Sequence, residues 1–590
     1  MRSSELHGVV PAARAPRWVI AVLWSITLAV AALHTWRYRF NLWNLDAVSY
    51  LDVADAWRAG QWRDALNGYW SPAYSWALAA AFAVVTPAPE HEYVVLHAVN
   101  LGLFIVATAA FHRLVREMIR DMPPESVASA FQPAGCAVLM FLLFLWFGLT
   151  QFVVWAESPD LIPTAATFAA AALLLRLRRA ATPASAALLG AVLGVGYLGK
   201  AAMLPVAPVF ILAGAIASRR AWLRTGVTAL LALGVVAGPW ILALSVSRGR
   251  PTFGDSGRIN YLWQVNRSEN WPRHWPPHWP HWDGVEGRGQ PAHPARRLHQ
   301  SPAVYEFATP FTVTYPMWYS VDYWYEGVSP RFDLRDQLRR LKLSASDYLE
   351  LLTLNRNNRD YFNPQPALFA VMLLLWFAAP LPRQRWRPAW ALIAPAAAIL
   401  VMYAFVRVAP RYVGAAVLLM WVAAFAAVRL APGIEGRRLL RGASAAATVV
   451  LALAIAVVTL GEVSDGWRRL LRGEAAERNM PWYTASVLRE AGVSPGTPAG
   501  VIGNAQVASR WARLARVRIV AEVPVADLPA FLEADDTTVA GVIAAFRQTA
   551  ARVLIAERLP AGSKWSNWTA VEGTPYSLLW LDQPAGVTVR

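Results

Sequence analysis

The sequence predicts a mainly α, polytopic membrane protein of about 11–13 transmembrane helices, ending in a small extracytoplasmic α/β domain. Three observations carry that expectation. The chain of 590 residues is 56% hydrophobic and only 16% charged, with a mean hydropathy of +0.33. Its apolar runs repeatedly approach the ~20 residues that a helix needs to cross a bilayer. Beyond residue 461 the pattern changes to short β-prone runs alternating with helical ones.

Taken in order, the candidate spans are 18–36, 92–114, 134–155, 158–176, 184–199, 201–217, 222–246, 365–381, 388–406, 411–429 and 443–461. The first has basic residues before it and no small-residue cleavage site, so it reads as a retained span rather than a signal peptide. The stretch 72–86 is also apolar, but its ~15 residues are short for a crossing. An interfacial or half-inserted helix is expected there. Basic residues then test the topology. Arg14 and Arg17 precede the first span, and Arg113, Arg116 and Arg120 follow the second. Arg176, Arg178 and Arg179 follow the fourth, and Arg219, Arg220 and Arg224 the sixth. Arg383, Arg385 and Arg387 follow the eighth, and Arg429, Arg437, Arg438 and Arg441 the tenth. With 72–86 not crossing, all lie on one side, the cytoplasmic side by the positive-inside rule. The N-terminus is then inside, in a plasma membrane of bacterial inner-membrane type.

This gives a membrane domain over 1–461, with a first external loop at 37–91 and a large external loop at 247–364, and an extracytoplasmic α/β domain over 462–590. In the latter, Gly500–Ile502, Val517–Val523, Arg552–Ala556 and Ser577–Leu581 read as strands. Trp482–Ala491, Ala505–Ala515 and Val539–Ala550 read as helices. No phosphate-binding glycine fingerprint is present. The net charge of +17 would suggest nucleic acid in a soluble chain, but here it sits in short loops beside apolar spans, which excludes that partner. The lone cysteine, Cys136, lies in an apolar run and allows no internal disulfide.

The residues able to carry chemistry gather at the outward ends. Asp46 opens a helical pattern. It is either an ordinary helix cap or a general base for an acceptor hydroxyl, strengthened by burial near lipid. Asp52 and Asp55 read as solvated charges on that helix's outer face. Glu157 and Asp160 open a span, either as caps or as site carboxylates. Lys200, between two apolar runs, is costly at that depth and so functional, unless it snorkels to the interface. Arg407 and Arg411 lie on the outward side, against the positive-inside trend, and the Arg411 guanidinium suits a phosphate or pyrophosphate. Within 261–300, Trp271, Trp275, Trp279 and Trp282 interleave with prolines and with His274, His278 and His281. The segment reads as an interfacial anchor, a sugar platform or a weak metal candidate. Aromatic and acidic residues continue through Tyr315–Tyr319 and Asp322–Gly327.

In this arrangement the chain resembles the GT-C superfamily of membrane glycosyltransferases that use polyprenyl-phosphate sugars, and is similar to protein O-mannosyltransferases and the lipid A aminoarabinose transferase. Asp46 with Tyr50 stands where those proteins carry an acid in the first external loop. Tyr69-Trp70-Ser71-Pro72 matches their aromatic-Pro segment, and Glu157 with Asp160 a second external acidic site. Tyr197-Leu198-Gly199-Lys200 matches a Tyr-Leu-x-Lys turn, and Arg411-Tyr412 an Arg-Tyr pair late in the membrane domain. Two departures stand out: Ala47 follows Asp46 where many relatives have an acidic pair, and Val408-Ala409-Pro410 replaces an acidic element before Arg-Tyr. The resemblance covers roughly 18–430. It implies an inverting sugar transfer from a polyprenyl-phosphate donor to an extracytoplasmic glycan, lipid or protein acceptor, with Asp46 as base. Tyr50, Tyr69, Trp70, Glu157, Asp160, Lys200, Arg411 and Tyr412 would contact substrate. No cofactor is called for, and a divalent metal is not supported. The competing readings are a transporter or flippase of lipid-linked glycans, and a non-catalytic envelope-glycan assembly subunit.

Overall fold

Each of the predicted spans carries a helix in the computed structural model, which describes residues 15–121, 133–266, 295–307, 313–320, 330–353, 363–377, 389–427, 434–471, 480–560 and 562–582. Among these residues, seven helices are long and apolar enough to cross a membrane, and Pro183–Gly199, Met203–Ala217 and Trp390–Ala404 are shorter apolar helices beside them. The chain is an integral membrane protein. The doubtful stretch 72–86 forms the helix Pro72–Val85, with Pro72 in the first turn. Its 14 residues reach about 21 Å, short of the roughly 30 Å hydrocarbon core. The expected metal-candidate loop residues His274, His278 and His281, their tryptophans, Asp322–Gly327, and the basic residues Arg14, Arg383, Arg385, Arg387 and Arg429 lie outside the described residues.

Small residues set the closest helix contact. Gly190 and Gly194, one turn apart on Pro183–Gly199, face the helix Trp222–Arg248. A Cβ on Gly190 would sit 1.9 Å from the Ala229 carbonyl oxygen, and one on Gly194 2.7 Å from Val236 Cβ. Backbones approach this closely only without side chains between them, the usual route to helix association in lipid. At the basic end of the bundle, Arg116, Arg120 and Arg179 converge on Glu117. Two of the basic clusters expected to share one side therefore do so. Lys200 meets Asp160 at the opposite ends of the helices Pro183–Gly199 and Leu161–Arg179.

The C-terminal domain is a seven-stranded sheet in the order β1-β2-β4-β3-β5-β7-β6. Strands β3 (Pro498–Gly503), β4 (Arg518–Pro524), β5 (Val553–Glu557) and β7 (Tyr576–Trp580) are the four predicted from the alternating pattern, with β6 (Thr569–Ala570) at the edge. β3 runs parallel to both β4 and β5. The sheet is not confined to 462–590: β1 (Ala295–Gln300) and β2 (Ala303–Phe307) come from the loop 247–364, and β2 pairs antiparallel with β4. A hairpin of Arg, His and Glu residues has no strong strand pattern, and its partner lies more than 200 residues away, so only the fold reveals it.

One expectation is overturned. Asp52 and Asp55 are not solvated face charges. Asp52 is 5% exposed and meets the buried guanidinium of Arg513, from the C-terminal helix Ala505–Ala515, at 2.8 Å. Asp52 also accepts from the Thr314 backbone N–H and hydroxyl at 2.9 and 2.8 Å. Arg513 reaches Asp55 at 2.7 Å and Glu92 at 2.8 Å, and Arg516 pairs with Glu92 as well. The helix Asp46–Arg58 is covered on its outer face by the C-terminal domain, so charges that a single segment would leave in water become the clamp between domains.

Glu522 in β4 is buried, accepts from the Tyr315 hydroxyl at 2.9 Å, and has no partner for its second oxygen among the described residues. Burial pushes its carboxyl up from 4.5 to about 8. Between those values the folded state holds a proton that the unfolded chain has released. Stability is therefore expected to fall as pH rises from about 4.5 to about 8, by about 1.4 kcal/mol per unit crossed. Glu522→Gln should flatten that part of a thermal-unfolding pH profile. An unchanged profile would mean that Glu522 is ionised in the fold.

Candidate active site

Four helix ends meet at the end of the bundle opposite the Glu117 arginine cluster. Asp46 is the first residue of Asp46–Arg58, Asp160 precedes Leu161–Arg179, Lys200 follows Pro183–Gly199, and Arg411 is the second residue of Pro410–Ala427. Neither acid caps its own helix through its side chain, so the capping alternative falls for both. Arg411 sits between them: Nη2 lies 3.2 Å from Asp46 Oδ2, and Nε 3.6 Å from Asp160 Oδ2. Arg411 Nη2 also donates to the Tyr412 hydroxyl at 3.2 Å. Lys200 pairs with Asp160 and holds its ammonium 3.6 Å from the Tyr412 ring centroid. It is thus engaged within the protein rather than snorkelling. Tyr403 stacks on Tyr412 with ring centroids 5.3 Å apart.

The aromatic residues expected with Asp46 line the same place. Tyr50 packs edge-on against Trp70 at 5.0 Å and against Tyr74 at 5.1 Å. The Trp70 indole N–H donates to the Trp318 carbonyl at 3.1 Å. Burial, with Asp46 close by, holds the phenols of Tyr50 and Tyr69 above the usual tyrosine range, so both stay neutral donors.

Glu157 has a different position. It is fully buried beneath the loop, and its carboxylate accepts from the backbone N–H groups of Trp43 and Asn44, with the Asn44 bond at 2.9 Å and His97 Nε2 at 3.2 Å. From above, Arg510 of the C-terminal helix donates to the Trp43 carbonyl at 2.9 Å. Glu157 lines neither cavity described next. It is a positioning residue for the segment that presents Asp46.

Two cavities share this site. The larger, about 810 Å³, runs up to the C-terminal domain and is lined by indoles and amides including Trp43, Gln264, Trp318, Asn504 and Gln506. The smaller, about 270 Å³, lies against the membrane helices, with Ala202, Pro205, Phe253, Met402 and Val406 in its walls. Asp46, Tyr69, Asn260, Arg407, Arg411 and Tyr412 line both. The reactive groups therefore stand at the seam between a polar chamber and an apolar one. Lys200, Arg407 and Arg411 face two carboxylates there, and Arg407 has no ion-pair partner among the described residues. That surplus positive charge suits a phosphate. Among the described residues no three His, Cys, Asp or Glu side chains gather as a metal site.

The chain is an apolar helical bundle that carries paired acids and bases at one set of helix ends and is roofed there by an α/β domain. No family model and no curated protein matches the sequence. Among solved structures, the chain is similar to ArnT from Cupriavidus metallidurans bound to undecaprenyl phosphate, at 13% identity and a TM-score of 0.51, over 97% of this chain and 100% of that one. ArnT in the apo state gives the same identity and TM-score over 95% and 98%. The apo oligosaccharyltransferase of Archaeoglobus fulgidus is a looser likeness, at 11% identity and a TM-score of 0.45, over 92% of this chain and 69% of that one. At these identities the likeness to ArnT establishes the fold: the chain is a polytopic membrane protein with the architecture of ArnT, the lipid A aminoarabinose transferase.

Proposed function

We propose that the protein is an inverting membrane glycosyltransferase that moves a sugar from a polyprenyl-phosphate donor to an extracytoplasmic acceptor. The observation that carries this reading is the seam: Asp46, Arg411 and Tyr412 line both the apolar and the polar chamber. The isoprenoid end of the donor would lie in the apolar chamber; ArnT, of the same architecture, is known bound to undecaprenyl phosphate. Arg411 and Arg407, with Lys200 behind them, would hold its phosphate. An acceptor hydroxyl entering from the polar chamber would attack the anomeric carbon. The carbon–oxygen bond to phosphate breaks, the polyprenyl phosphate leaves with the electron pair, and Asp46 takes the hydroxyl proton. The guanidinium charge stabilises the departing phosphate. Arg411 pairs with Asp46, and a bound phosphate would draw the guanidinium toward itself and free the carboxylate.

Transport fits less well, because a flippase needs ionisable groups near the bilayer midplane on broken helices. Here Asp46, Asp160, Lys200 and Arg411 all stand at helix ends. The test is transfer of labelled sugar from a panel of polyprenyl-phosphate sugars by the purified chain in lipid, with cell-envelope extract as acceptor source. Asp46→Asn should lower transfer by about 10²–10⁴-fold. Undiminished transfer would remove Asp46 as the base, and no transfer from any donor would favour the transport or assembly readings.

A further inference from the structure

The polar chamber has a composition that the transfer chemistry does not require. Away from the seam its walls are uncharged, with amides and indoles among aliphatic groups such as Leu45, Val153 and Val507, apart from Arg340 and Asp347, which pair with each other at 2.5 Å. Two of its lining residues, Asn504 and Gln506, come from the C-terminal domain, where β3 gives way to the helix Ala505–Ala515. The connection places them meaningfully. From β3 the chain goes to β4 on one side, then returns past β3 to β5 on the other. In open α/β sheets the crevice at the carboxyl ends of the strands, where the winding reverses, is where ligands bind. In this protein that crevice opens into the chamber. Gln506 supplies a second, independent observation: it is 3% exposed, lines the chamber, and its buried Oε1 has no hydrogen-bond partner among the described residues. A buried amide oxygen left unpaired is costly, and turning the amide into the chamber would let a ligand hydroxyl satisfy it.

The geometry points to a carbohydrate subsite in the larger chamber, in which Asn504 and Gln506 of the C-terminal domain read a neutral sugar unit held against the indoles of Trp43 and Trp318. Each sugar hydroxyl both donates and accepts, and side-chain amides offer both functions. Indole faces bury the C–H face of a pyranose while leaving its rim to hydrogen bonds. Away from the seam, where Arg407 stands, an acidic glycan would find no unpaired cation on these walls. A peptide would need an extended backbone partner, which two amides and two indoles do not provide. Calling this unit the acceptor rests on the glycosyltransferase reading; the subsite itself does not.

The test is saturation-transfer NMR on the full chain in lipid nanodiscs with mannotriose, cellotriose and chitotriose, alongside trigalacturonate and a Ser/Thr-containing decapeptide. Binding of at least one neutral trisaccharide is expected, weakened about tenfold or more in Gln506→Ala, as loss of a buried hydrogen bond gives. Asn504 also caps its helix, its side chain accepting from the Val507 N–H at 3.0 Å. Asn504→Ser keeps a capping oxygen while removing the amide, so a loss of binding at an unchanged unfolding temperature would not be a folding defect. Binding of none of the neutral sugars, preference for trigalacturonate or the peptide, or binding indifferent to both substitutions would overturn the subsite. Neutral-sugar binding without transfer from any donor would leave the subsite standing and remove the enzyme reading.

Discussion

Arg411→Ala is expected to lower sugar transfer by about 10³–10⁵-fold, the scale of arginines that stabilise phosphate charge in transfer reactions. Two losses combine. The phosphate of the donor would lose the guanidinium best placed to meet it at the seam, and Asp46 and Asp160 would lose the cation that lies 3.2 and 3.6 Å from them. Arg411→Lys should recover only part of the activity, because one ammonium cannot offer the planar fork that spans two partners at once. The measurement is single-turnover transfer from a labelled polyprenyl-phosphate sugar, read with donor binding. Full recovery by lysine would show that Arg411 acts as a point charge. Near-normal transfer by the alanine variant would remove it from the mechanism.

Arg513→Ala should cost about 3–5 kcal/mol, the usual loss when one member of a buried ion network is removed. Asp52 and Glu92 would stay buried without the guanidinium that now contacts both at 2.8 Å. Arg516 still reaches Glu92 but leaves Asp52 unanswered. The clamp joins the helix carrying Asp46 to the helix carrying Asn504 and Gln506, so undocking should lower activity as well as melting temperature. The check is thermal unfolding in detergent together with limited proteolysis between the domains. Neutralising the buried members, by Arg513→Met with Asp52→Asn and Glu92→Gln, leaves Asp55 paired with Arg516 and should restore much of the stability, since burying uncharged groups avoids the desolvation cost. If the single variant unfolds like wild type, the network is not what holds the domains together.

The parts of this protein readable along the chain are those whose physics is local. Span positions follow from runs of apolar residues. The four tail strands β3, β4, β5 and β7 follow from β-prone runs broken by helical ones. Asp46, Asp160, Lys200 and Arg411 were legible because ionisable groups beside lipid are expensive and therefore stand out. Their association was suggested only by resemblance, and the salt bridges that realise it cross up to 365 residues of sequence.

Other assignments depend on which surface covers a residue, and a single segment carries no sign of that. Asp52 and Asp55 look like solvated charges until the C-terminal domain closes over them. Glu157 resembles a ligand-binding acid, yet its oxygens are occupied by backbone N–H groups of Trp43 and Asn44. Asn504 and Gln506 are unremarkable polar residues after a strand, and only the sheet's winding order turns them toward the chamber. The sequence by itself determined that this is a membrane protein of many spans with an α/β tail and reactive groups on one face, because hydropathy and periodicity act within each segment. Only the tertiary structure decided which charges are buried and paired, that a hairpin of the large loop completes the tail's sheet, and that two chambers meet at Asp46. Burial and pairing are made between segments distant in the chain.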